Sequence, residues 1–340
     1  MNALSLTNKL SPASLGGAFF CAWLVVITAG SLGGCAAEAG RTVGVPVPGG
    51  AVMESTRVMI GPADLQLMLG DPRLVLLHVG HGDKGYHRGH IPGARYVDFT
   101  EIMALERDGR KTELLTPEAF ETLMRRLGID AESRVVLYGD AAGVFPARLY
   151  VTMRHFGLGE NARLLDGHLR GWVAQGRIVA ATPGLADGSG PPAAEPGHAV
   201  EGKPWRPTVT PGVVVGDEDV RRAVAGQRAT LLDVRPADQF SGQKKGPGVK
   251  VAGRIATAKN LPWREMVAGV KPPWLRPEAE LRGALADAGV PQGRPVIVYD
   301  AAGMHASLAY AVLLELGYDV SLYDGGYAAW SAGASAEPAK

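Results

Sequence analysis

Residues 294–318 read RPVIVYDAAGMHASLAYAVLLELGY and predict a strand, a loop and a helix in succession. Residues 295–299 are apolar and rich in β-branched side chains, which is typical of a strand buried on both faces of a parallel sheet. Beyond the loop, apolar residues recur at helical spacing, so a helix is expected over residues 307–316, and Gly317 marks its end. This order of elements indicates an open α/β sheet.

The loop between these two elements is the candidate binding site. In open α/β sheets, ligands bind beyond the carboxyl ends of the strands, where loop amides and a helix N-terminus favour an anion. We expect such a cradle to be lined by Asp300, Ala301, Ala302, Gly303, Met304, His305 and Ala306.

A second copy of this layout lies upstream. Residues 134–172 read RVVLYGDAAGVFPARLYVTMRHFGLGENARLLDGHLRGW, and both copies have a tyrosine before the loop, AAG within or beside it, and an LDG or YDG turn leading to a tryptophan. The AAG triplets are 160 residues apart, a spacing that fits duplicated domains and is too long for a solenoid repeat. We expect Trp172 and Trp330 to be core residues.

The loop DAAGMH resembles the active-site loop of the rhodanese family, the thiosulfate and mercaptopyruvate sulfurtransferases. In that family the loop opens with a cysteine that carries sulfane sulfur as a persulfide, has glycine fourth and often closes with arginine. Here Asp300 holds the cysteine position, Gly303 matches and His305 closes the loop. The resemblance implies two tandem α/β domains, each with a mainly parallel central sheet flanked by helices.

The first copy departs further from the family's loop. Gly139 holds the cysteine position, Asp140 follows it, and Gly143 matches the fourth-position glycine of the second copy. Tandem sulfurtransferases commonly have such a non-catalytic N-terminal domain. At the position where the resemblance places the family's cysteine, neither loop therefore has a thiol.

Two further motifs extend the resemblance. Residues 89–94 read GHIPGA, a signature of rhodanese domains that shapes a turn before the next strand, and residues 253–258 keep its frame as GRIATA. The second copy also ends a predicted strand with DVR, which matches the family's Asp-x-Arg pattern. We therefore assign Asp233 and Arg235 a supporting role at the candidate site.

The first 34 residues are predicted to be a lipoprotein signal peptide. Lys9 precedes an apolar stretch over residues 15–29 that is short for a permanent membrane span. The LGGC that ends at Cys35 resembles a bacterial lipobox, in which the cysteine is acylated and becomes the mature N-terminus. We expect a lipid anchor that holds the protein to a membrane of the bacterial cell envelope, outside the cytoplasm and on the periplasmic face.

Composition predicts the remaining boundaries. Segments rich in small residues, glycine and proline indicate a tether and a linker around two domains of ordinary size. The expected segments are a tether at 35–56, a first rhodanese-like domain at 57–177, a linker at 178–210 and a second rhodanese-like domain at 211–336.

The same composition limits the chemistry of the folded part. The chain has 2 cysteines, Cys21 in the apolar stretch and Cys35 at the lipobox, so an acylated mature protein would have no free thiol and no internal disulfide. Lysine and arginine together number 35 against 34 acidic residues, so the chain lacks the large positive net charge that is typical of nucleic-acid-binding proteins.

We further expect a monomer without a cofactor.

Four histidines in the first domain, His78, His81, His87 and His90, raise the question of a metal site. Their spacing follows no helix and no closed zinc motif. The family resemblance already explains His90 as part of the GHIPGA turn. We therefore predict no metal ligands.

Three functions remain open at this level. A sulfurtransferase fits the fold, but a persulfide intermediate needs a thiolate, which a carboxylate cannot replace. A binding or scaffolding lipoprotein would keep the fold without the reaction, with the Asp300 carboxylate held by the loop amides and with an envelope protein or a small anionic ligand as partner. A hydrolase-type enzyme would use Asp300 as nucleophile or base and His305 as proton carrier. We favour the second function.

Overall fold

The computed structural model describes most of the chain from Arg57 onward, and all of the described residues belong to one compact unit. The described ranges are 57–107, 109–139, 142–181, 205–226, 228–268 and 274–333. The predicted signal peptide, Cys35, the tether, Asp140 and most of the predicted linker lie outside these residues, so the predictions made for them stay predictions.

The first half of the unit alternates strands and helices, as the sequence predicts. Its elements are β1 (Met59–Ile60), α1 (Pro62–Met68), β2 (Leu74–Gly80), α2 (Lys84–Arg88), β3 (Arg95–Asp98), β4 (Met103–Arg107), β5 (Arg110–Leu114), α3 (Pro117–Arg126), β6 (Arg134–Tyr138), α4 (Val144–His155), β7 (Ala162–Leu165) and α5 (His168–Ala174). Short 3₁₀ helices occur at Phe99–Glu101 and Gly159–Asn161.

The second half repeats this series. Its elements are β8 (Val214–Val215), α6 (Asp217–Gly226), β9 (Thr230–Asp233), α7 (Ala237–Phe240), β10 (Lys259–Asn260), β11 (Val267–Ala268), β12 (Trp274–Leu275), α8 (Glu278–Asp287), β13 (Val296–Tyr299), α9 (Met304–Glu315), β14 (Val320–Tyr323) and α10 (Gly326–Ala332). A 3₁₀ helix lies at Trp263–Met266.

The two halves have matching sheets. Within the described residues, the first sheet has the order β1-β7-β6-β2-β3 and the second the order β8-β14-β13-β9-β10, and neighbouring strands in both are parallel. Each half adds one antiparallel hairpin, β4-β5 in the first and β11-β12 in the second. The prediction of two tandem α/β domains with mainly parallel sheets is confirmed.

The strand–loop–helix unit of the second half is confirmed in type, but its helix begins earlier than expected. Gly303 adopts φ +82°, a left-handed conformation that lets the backbone turn into α9 at Met304 rather than at residue 307. His305 and Ala306 therefore belong to the first turn of the helix and not to the loop. Gly317, with φ +78°, follows the helix end as expected.

A continuous core joins the halves through α4 and α9. Leu149 and Tyr150 of α4 lie in the same buried cluster as Leu308 and Val312 of α9. Alternate strand residues face opposite sides of each sheet, as the period of two requires: Val296 and Val298 of β13 lie in this cluster, whereas Ile297 and Tyr299 lie in a smaller cluster on the other side. The smaller clusters on those sides include Trp172 and Trp330, which confirms both as core residues.

The hairpins make reciprocal contacts between the halves. Leu114 at the end of β5 donates its backbone N–H to Asp324 Oδ2 at 3.0 Å, and Leu275 at the end of β12 donates to Asp166 Oδ1 at 3.1 Å. Asp166 and Asp324 are the aspartates of the repeated LDG and YDG turns. Each half therefore inserts its hairpin against the turn of the other.

Within the part of the chain that the structure describes, none of the helices has the length and apolar character that a membrane span requires.

Candidate functional site

The loop of the second half is compressed against its surroundings. A Cβ atom added to Gly303 would lie 2.5 Å from Asp324 Oδ1 and 2.9 Å from Arg148 Nη1, so only glycine fits there. The carbonyl groups of the loop are also bound, because Tyr327 donates its N–H to the Asp300 carbonyl at 2.7 Å and Ala328 donates to the Ala301 carbonyl at 3.0 Å. The start of α10 thus holds the loop from one side.

The Asp300 carboxylate occupies the amide cradle. Asp300 is 2% exposed, and its Oδ1 accepts the N–H groups of Ala302 at 3.0 Å and Gly303 at 2.5 Å. Its Oδ2 accepts the N–H of His305 at 2.8 Å and contacts His305 Nδ1 at 3.1 Å. Burial alone would raise the pKa of Asp300, but the bonds from the His305 side chain and the loop amides outweigh it and lower the pKa. The expectation that the loop amides hold this carboxylate is confirmed.

His305 is the exposed member of the pair. Its side chain is 45% exposed and stacks on Trp263, with ring centroids 4.8 Å apart. A carboxylate only accepts hydrogen bonds, so Nδ1 must carry the hydrogen, and in the neutral imidazole the acceptor is then Nε2. Asp300 therefore orients the imidazole in the way that the carboxylate of a catalytic triad orients its histidine.

The other residues predicted to line the cradle do not present their side chains to it. Ala306 is fully buried in the core, and Met304 packs against that core, so the structure does not place these side chains at the mouth of the loop. Ala301 and Ala302 contribute backbone groups, and Thr112 Oγ1 from the first half lies 2.6 Å from the Ala302 carbonyl oxygen.

Asp233 and Arg235 support the site indirectly. They form a buried ion pair in which Arg235 Nη2 lies 2.5 Å from Asp233 Oδ2, and Arg235 also donates to the Gly253 carbonyl at 2.8 Å. Burial would lower the pKa of Arg235, but the hydrogen bonds and charge of Asp233 raise it. The guanidinium lies 4.1 Å from the ring centroid of Tyr327, the residue that holds the Asp300 carbonyl. The pair is therefore linked to the loop through Tyr327.

The first half has a different arrangement at the same place. A Cβ atom added to Gly139 would lie 2.6 Å from the Val79 carbonyl oxygen, so this position cannot take a cysteine without a shift of the backbone. A Cβ atom on Gly143 would lie 2.0 Å from His168 Nε2, so the His168 imidazole fills the space beside the loop. Asp140 lies outside the described residues.

The histidines of the first half are mostly structural. His90 is buried, stacks on Tyr86 with centroids 3.9 Å apart, and its Nδ1 lies 2.9 Å from the Tyr86 carbonyl oxygen. His78 is buried among Tyr86, Tyr96 and Tyr138. In the part of the chain that the structure describes, no three His, Cys, Asp or Glu residues are grouped as metal ligands would be.

Sequence reasoning missed the contribution of the first half to the loop of the second. Arg148 of α4 is fully buried, its Nη1 lies 2.5 Å from Asp324 Oδ1, and its Nη2 donates to the Thr112 carbonyl. No local pattern marks Thr112 or Arg148, because they meet the loop only through tertiary packing. The repeat itself could have identified His168, since it follows LDG where Gly326 follows YDG.

A separate cleft of about 460 Å³ lies between the halves, on the side of the YDG turn. Its lining includes Arg107, Arg110, Glu113, His155 and Asp324. Neither Asp300 nor His305 lines it, so this cleft is separate from the mouth of the loop.

Comparison with known proteins gives consistent matches across both halves. Residues 61–175 and 217–333 match the family model described as a rhodanese-like domain. The chain is 30% identical over 301 residues to a 3-mercaptopyruvate sulfurtransferase of Escherichia coli (strain K12), with 84% of this chain and 100% of that protein covered. It is 28% identical over 283 residues to the sulfur carrier protein TtuD of Thermus thermophilus, with 80% and 93% covered.

Among solved structures, the chain is similar to the 3-mercaptopyruvate sulfotransferase SseA from Escherichia coli. The TM-score is 0.64 at 26% sequence identity, and the match covers 80% of this chain and 99% of that chain. The similarity thus extends over both halves and their arrangement.

Proposed function

Because this chain belongs to the rhodanese family as a tandem pair of rhodanese-like domains, we propose that it is a binding or scaffolding lipoprotein of the cell envelope without sulfur transfer. Its similarity to sulfurtransferases supports the fold, and the family's loop pattern motivates the choice of the site. The residues of this chain at the candidate site favour binding over sulfur transfer.

The observation that carries the proposal is the occupied cradle. The N–H groups of Ala302, Gly303 and His305 all donate to the Asp300 carboxylate. A persulfide route needs a thiolate nucleophile, and the cysteines of this chain are Cys21 and Cys35, both far from the loop in sequence. The buried charge of Asp300 would also repel an anionic sulfur donor.

The names of the relatives suggest the alternative, a sulfurtransferase, and an activity assay distinguishes the two. We expect the full chain to form no thiocyanate from thiosulfate and cyanide above the uncatalysed rate. The Escherichia coli 3-mercaptopyruvate sulfurtransferase, assayed in parallel with its own substrate, is the positive control. Turnover by this chain that is lost in Asp300→Asn would refute the proposal.

A second test asks whether the frame of the site survives. In Asp300→Cys the thiolate would accept the same loop amides, which lower a thiol pKa. We expect this thiolate to attack the outer sulfur of thiosulfate slowly, breaking its S–S bond with release of sulfite and leaving a cyanide-labile persulfide that is seen as a mass increase of about 32 Da. Adding His305→Arg should speed this reaction, because guanidinium is permanently charged. A folded double variant with a reactive thiol that gains no sulfur would mean that the pocket has been rebuilt.

A hydrolase-type activity is the second candidate, and the bond between Asp300 and His305 favours it. The buried Asp300 already accepts four hydrogen bonds, so its role would be to orient His305 and not to attack. His305 Nε2 would then take a proton from water as it attacks an ester. A pH–rate profile on a panel of esters tests this, and activity that persists unchanged in His305→Gln would exclude His305 as the base.

The envelope location rests on the lipobox-like sequence that ends at Cys35. We expect metabolic labelling with palmitate to mark the wild type and not Cys35→Ser. Unlabelled wild type, or undiminished label in Cys35→Ser, would overturn the lipoprotein assignment.

A further inference from the structure

The connection between β9 and the 3₁₀ helix at Trp263–Met266 has an unusual charge. Residues 241–264 contain six basic side chains and no acidic one, whereas the whole chain has a formal net charge of +1, so the rest of the chain has −5. The basic residues of this segment are Lys244, Lys245, Lys250, Arg254, Lys259 and Arg264.

These cations are displayed to solvent and not neutralised. Arg254 is half-buried and the other five are exposed. The described ion pairs include none of the six, although arginines elsewhere on the surface, such as Arg125 with Glu121 and Arg282 with Glu278, are paired. The segment therefore carries a net positive charge that its acidic neighbours in sequence, Asp238 and Glu265, offset only in part.

The segment is held in place at the same edge of the second sheet as the Asp300 loop. Lys250 donates its backbone N–H to Ser331 Oγ of α10 at 2.9 Å. The Arg254 guanidinium lies 4.8 Å from the ring centroid of Phe240, and that of Arg264 lies 4.7 Å from the ring centroid of Trp263. Trp263 in turn stacks on His305. Arg264 thus lies beside the mouth of the loop, and Lys250 is fixed against α10.

Two observations define the extent of this surface and show that only the second half has it. Lys259 lies apart from the others, with its side chain against Gly289 at the end of α8. Over the stretch from the end of the second strand to the following 3₁₀ helix, residues 81–101 of the first half have three basic and three acidic side chains, whereas the corresponding residues 234–266 have seven basic and two acidic. The basic segment is therefore a property of the second half and not of the repeated fold.

We propose that the basic surface formed by Lys244, Lys245, Lys250, Arg254 and Arg264 binds the anionic headgroups of the bilayer that carries the protein's lipid anchor. This rests on the proposed lipid attachment at Cys35. If the 21 residues between Cys35 and Arg57 form the flexible tether that the sequence predicts, their root-mean-square span is about 25 Å, which would keep the domain close to its own membrane. Each basic residue near an anionic surface strengthens binding about fivefold.

This arrangement selects the membrane over a soluble partner. Tethering makes docking an intramolecular event, so weak contacts are sufficient at the high effective concentration that a short tether provides. The attraction acts within about 10 Å at moderate salt, so the surface must face the lipid closely. The mouth of the Asp300 loop would then open towards the headgroups.

Hydrogen–deuterium exchange of the full lipidated chain tests the proposal. The protein is placed in vesicles of phosphatidylcholine alone or of phosphatidylcholine mixed with phosphatidylglycerol. We expect exchange of peptides from residues 241–264 to slow severalfold only in the anionic vesicles, and this protection to disappear at high salt. Equal exchange in both vesicles would overturn the proposal.

Matched variants make the test specific. Combined Lys244→Gln, Lys245→Gln and Lys250→Gln should abolish the protection, whereas combined Lys84→Gln, Arg88→Gln and Arg228→Gln, which removes the same charge elsewhere, should retain it. Both variants must melt as the wild type does. Equal loss in both variants would mean that only net charge matters and would contradict a defined surface.

Two further arms separate the remaining explanations. Polyglutamate added to neutral vesicles should give less protection than phosphatidylglycerol, and equal or greater protection would indicate an acidic protein partner instead. Palmitate labelling reports separately on the anchor. A labelled protein without headgroup-dependent protection would leave the lipoprotein proposal intact and refute the docking surface alone.

Discussion

At the scale of single residues, Asp300 determines what the loop can bind. Its carboxylate accepts the N–H groups of Ala302, Gly303 and His305, which would otherwise be free to stabilise an anionic ligand. His305 keeps an exposed imidazole that Asp300 orients. The residue that could contact a ligand is therefore His305, while Asp300 holds it in place.

The repeat identifies a strained position in the second half. Thr257 has φ +66°, where the GHIPGA glycine of the first half, Gly93, has φ +81°. A β-branched residue in this conformation costs about 1–2 kcal/mol, partly offset by the larger unfolded-state entropy of glycine. We expect Thr257→Gly to raise the free energy of unfolding by about 0.5–1 kcal/mol, measured by urea denaturation.

Gly93→Thr is the matched control. No atom lies within 4 Å of a Cβ built on Gly93, so its cost would come from the backbone conformation alone. We expect a loss of about 1 kcal/mol or more. A neutral or stabilising Gly93→Thr, or a destabilising Thr257→Gly, would show that these turns do not store the strain that their backbone angles indicate.

His168 predicts an acid-sensitive fold. Burial, with a smaller contribution from the charge of His78, lowers the pKa of His168 to about 4. Because the folded value lies below the unfolded value of about 6.5, the stability it contributes is present above pH 6.5 and is lost as pH falls towards 4. The loss over this window is about 3 kcal/mol, which urea unfolding between pH 7 and pH 4 would measure.

His168→Asn separates this contribution from other titrating groups. Asparagine tolerates the left-handed backbone of this position, where φ is +51°, and does not titrate. Burial also lowers the pKa values of His90 and His155, which remain in the variant, so its pH dependence should flatten without vanishing. An unchanged slope in His168→Asn would contradict the prediction.

At the scale of elements, the β4-β5 hairpin and helix α4 of the first half both reach the loop of the second half. Arg148 of α4 contacts Asp324 and the Thr112 carbonyl, and Leu114 donates to the same aspartate. We expect Arg148→Met to lower the free energy of unfolding by about 3–5 kcal/mol, because it leaves the Asp324 carboxylate buried without its cation. Thermal and urea unfolding would measure this loss.

The double variant Arg148→Met with Asp324→Asn provides the control. Removing both charges should restore part of the stability that Arg148→Met alone loses, since no uncompensated charge remains. Exchange of the amides of residues 300–303 should speed up in the single variant and recover in the double. Strictly additive losses would mean that the two side chains are not coupled.

At the scale of the whole molecule, the N-terminal strand is attached to the opposite half. Glu315 of α9 accepts the backbone N–H groups of Val58 at 2.6 Å and Met59 at 3.1 Å. We expect Glu315→Ala to cost about 2 kcal/mol, because hydrogen bonds to a charged group are lost and two part-buried N–H groups lose their acceptor. Hydrogen exchange at residues 58–60 should accelerate at the same time.

Glu280→Ala is the surface control for this change. Glu280 also lies on a helix of the second half and pairs with Arg276 at 3.0 Å, but its side chain is 52% exposed. Such pairs contribute about 0–1 kcal/mol, so little change is expected. Equal effects of the two substitutions would show that the attachment of β1 contributes no more than a surface ion pair.

The sequence alone determined the class of the fold, its duplication and the place of the candidate site. These depend on local patterns: the β-branched strand before Asp300, the glycine-bounded helix after it, and motifs repeated at a constant spacing. The helix start at Met304 was placed three residues late, because the left-handed turn at Gly303 is a backbone property that periodicity does not reveal.

Tertiary structure alone decided which residues meet at the loop. Thr112 and Arg148 reach the surroundings of Asp300 because the β4-β5 hairpin and α4 of the first half pack against the second half, whereas Trp263 reaches His305 from within the second half. It also decided that His305 remains exposed and stacks on Trp263. Contacts of this kind depend on the summed geometry of the core, which no local pattern in the chain encodes.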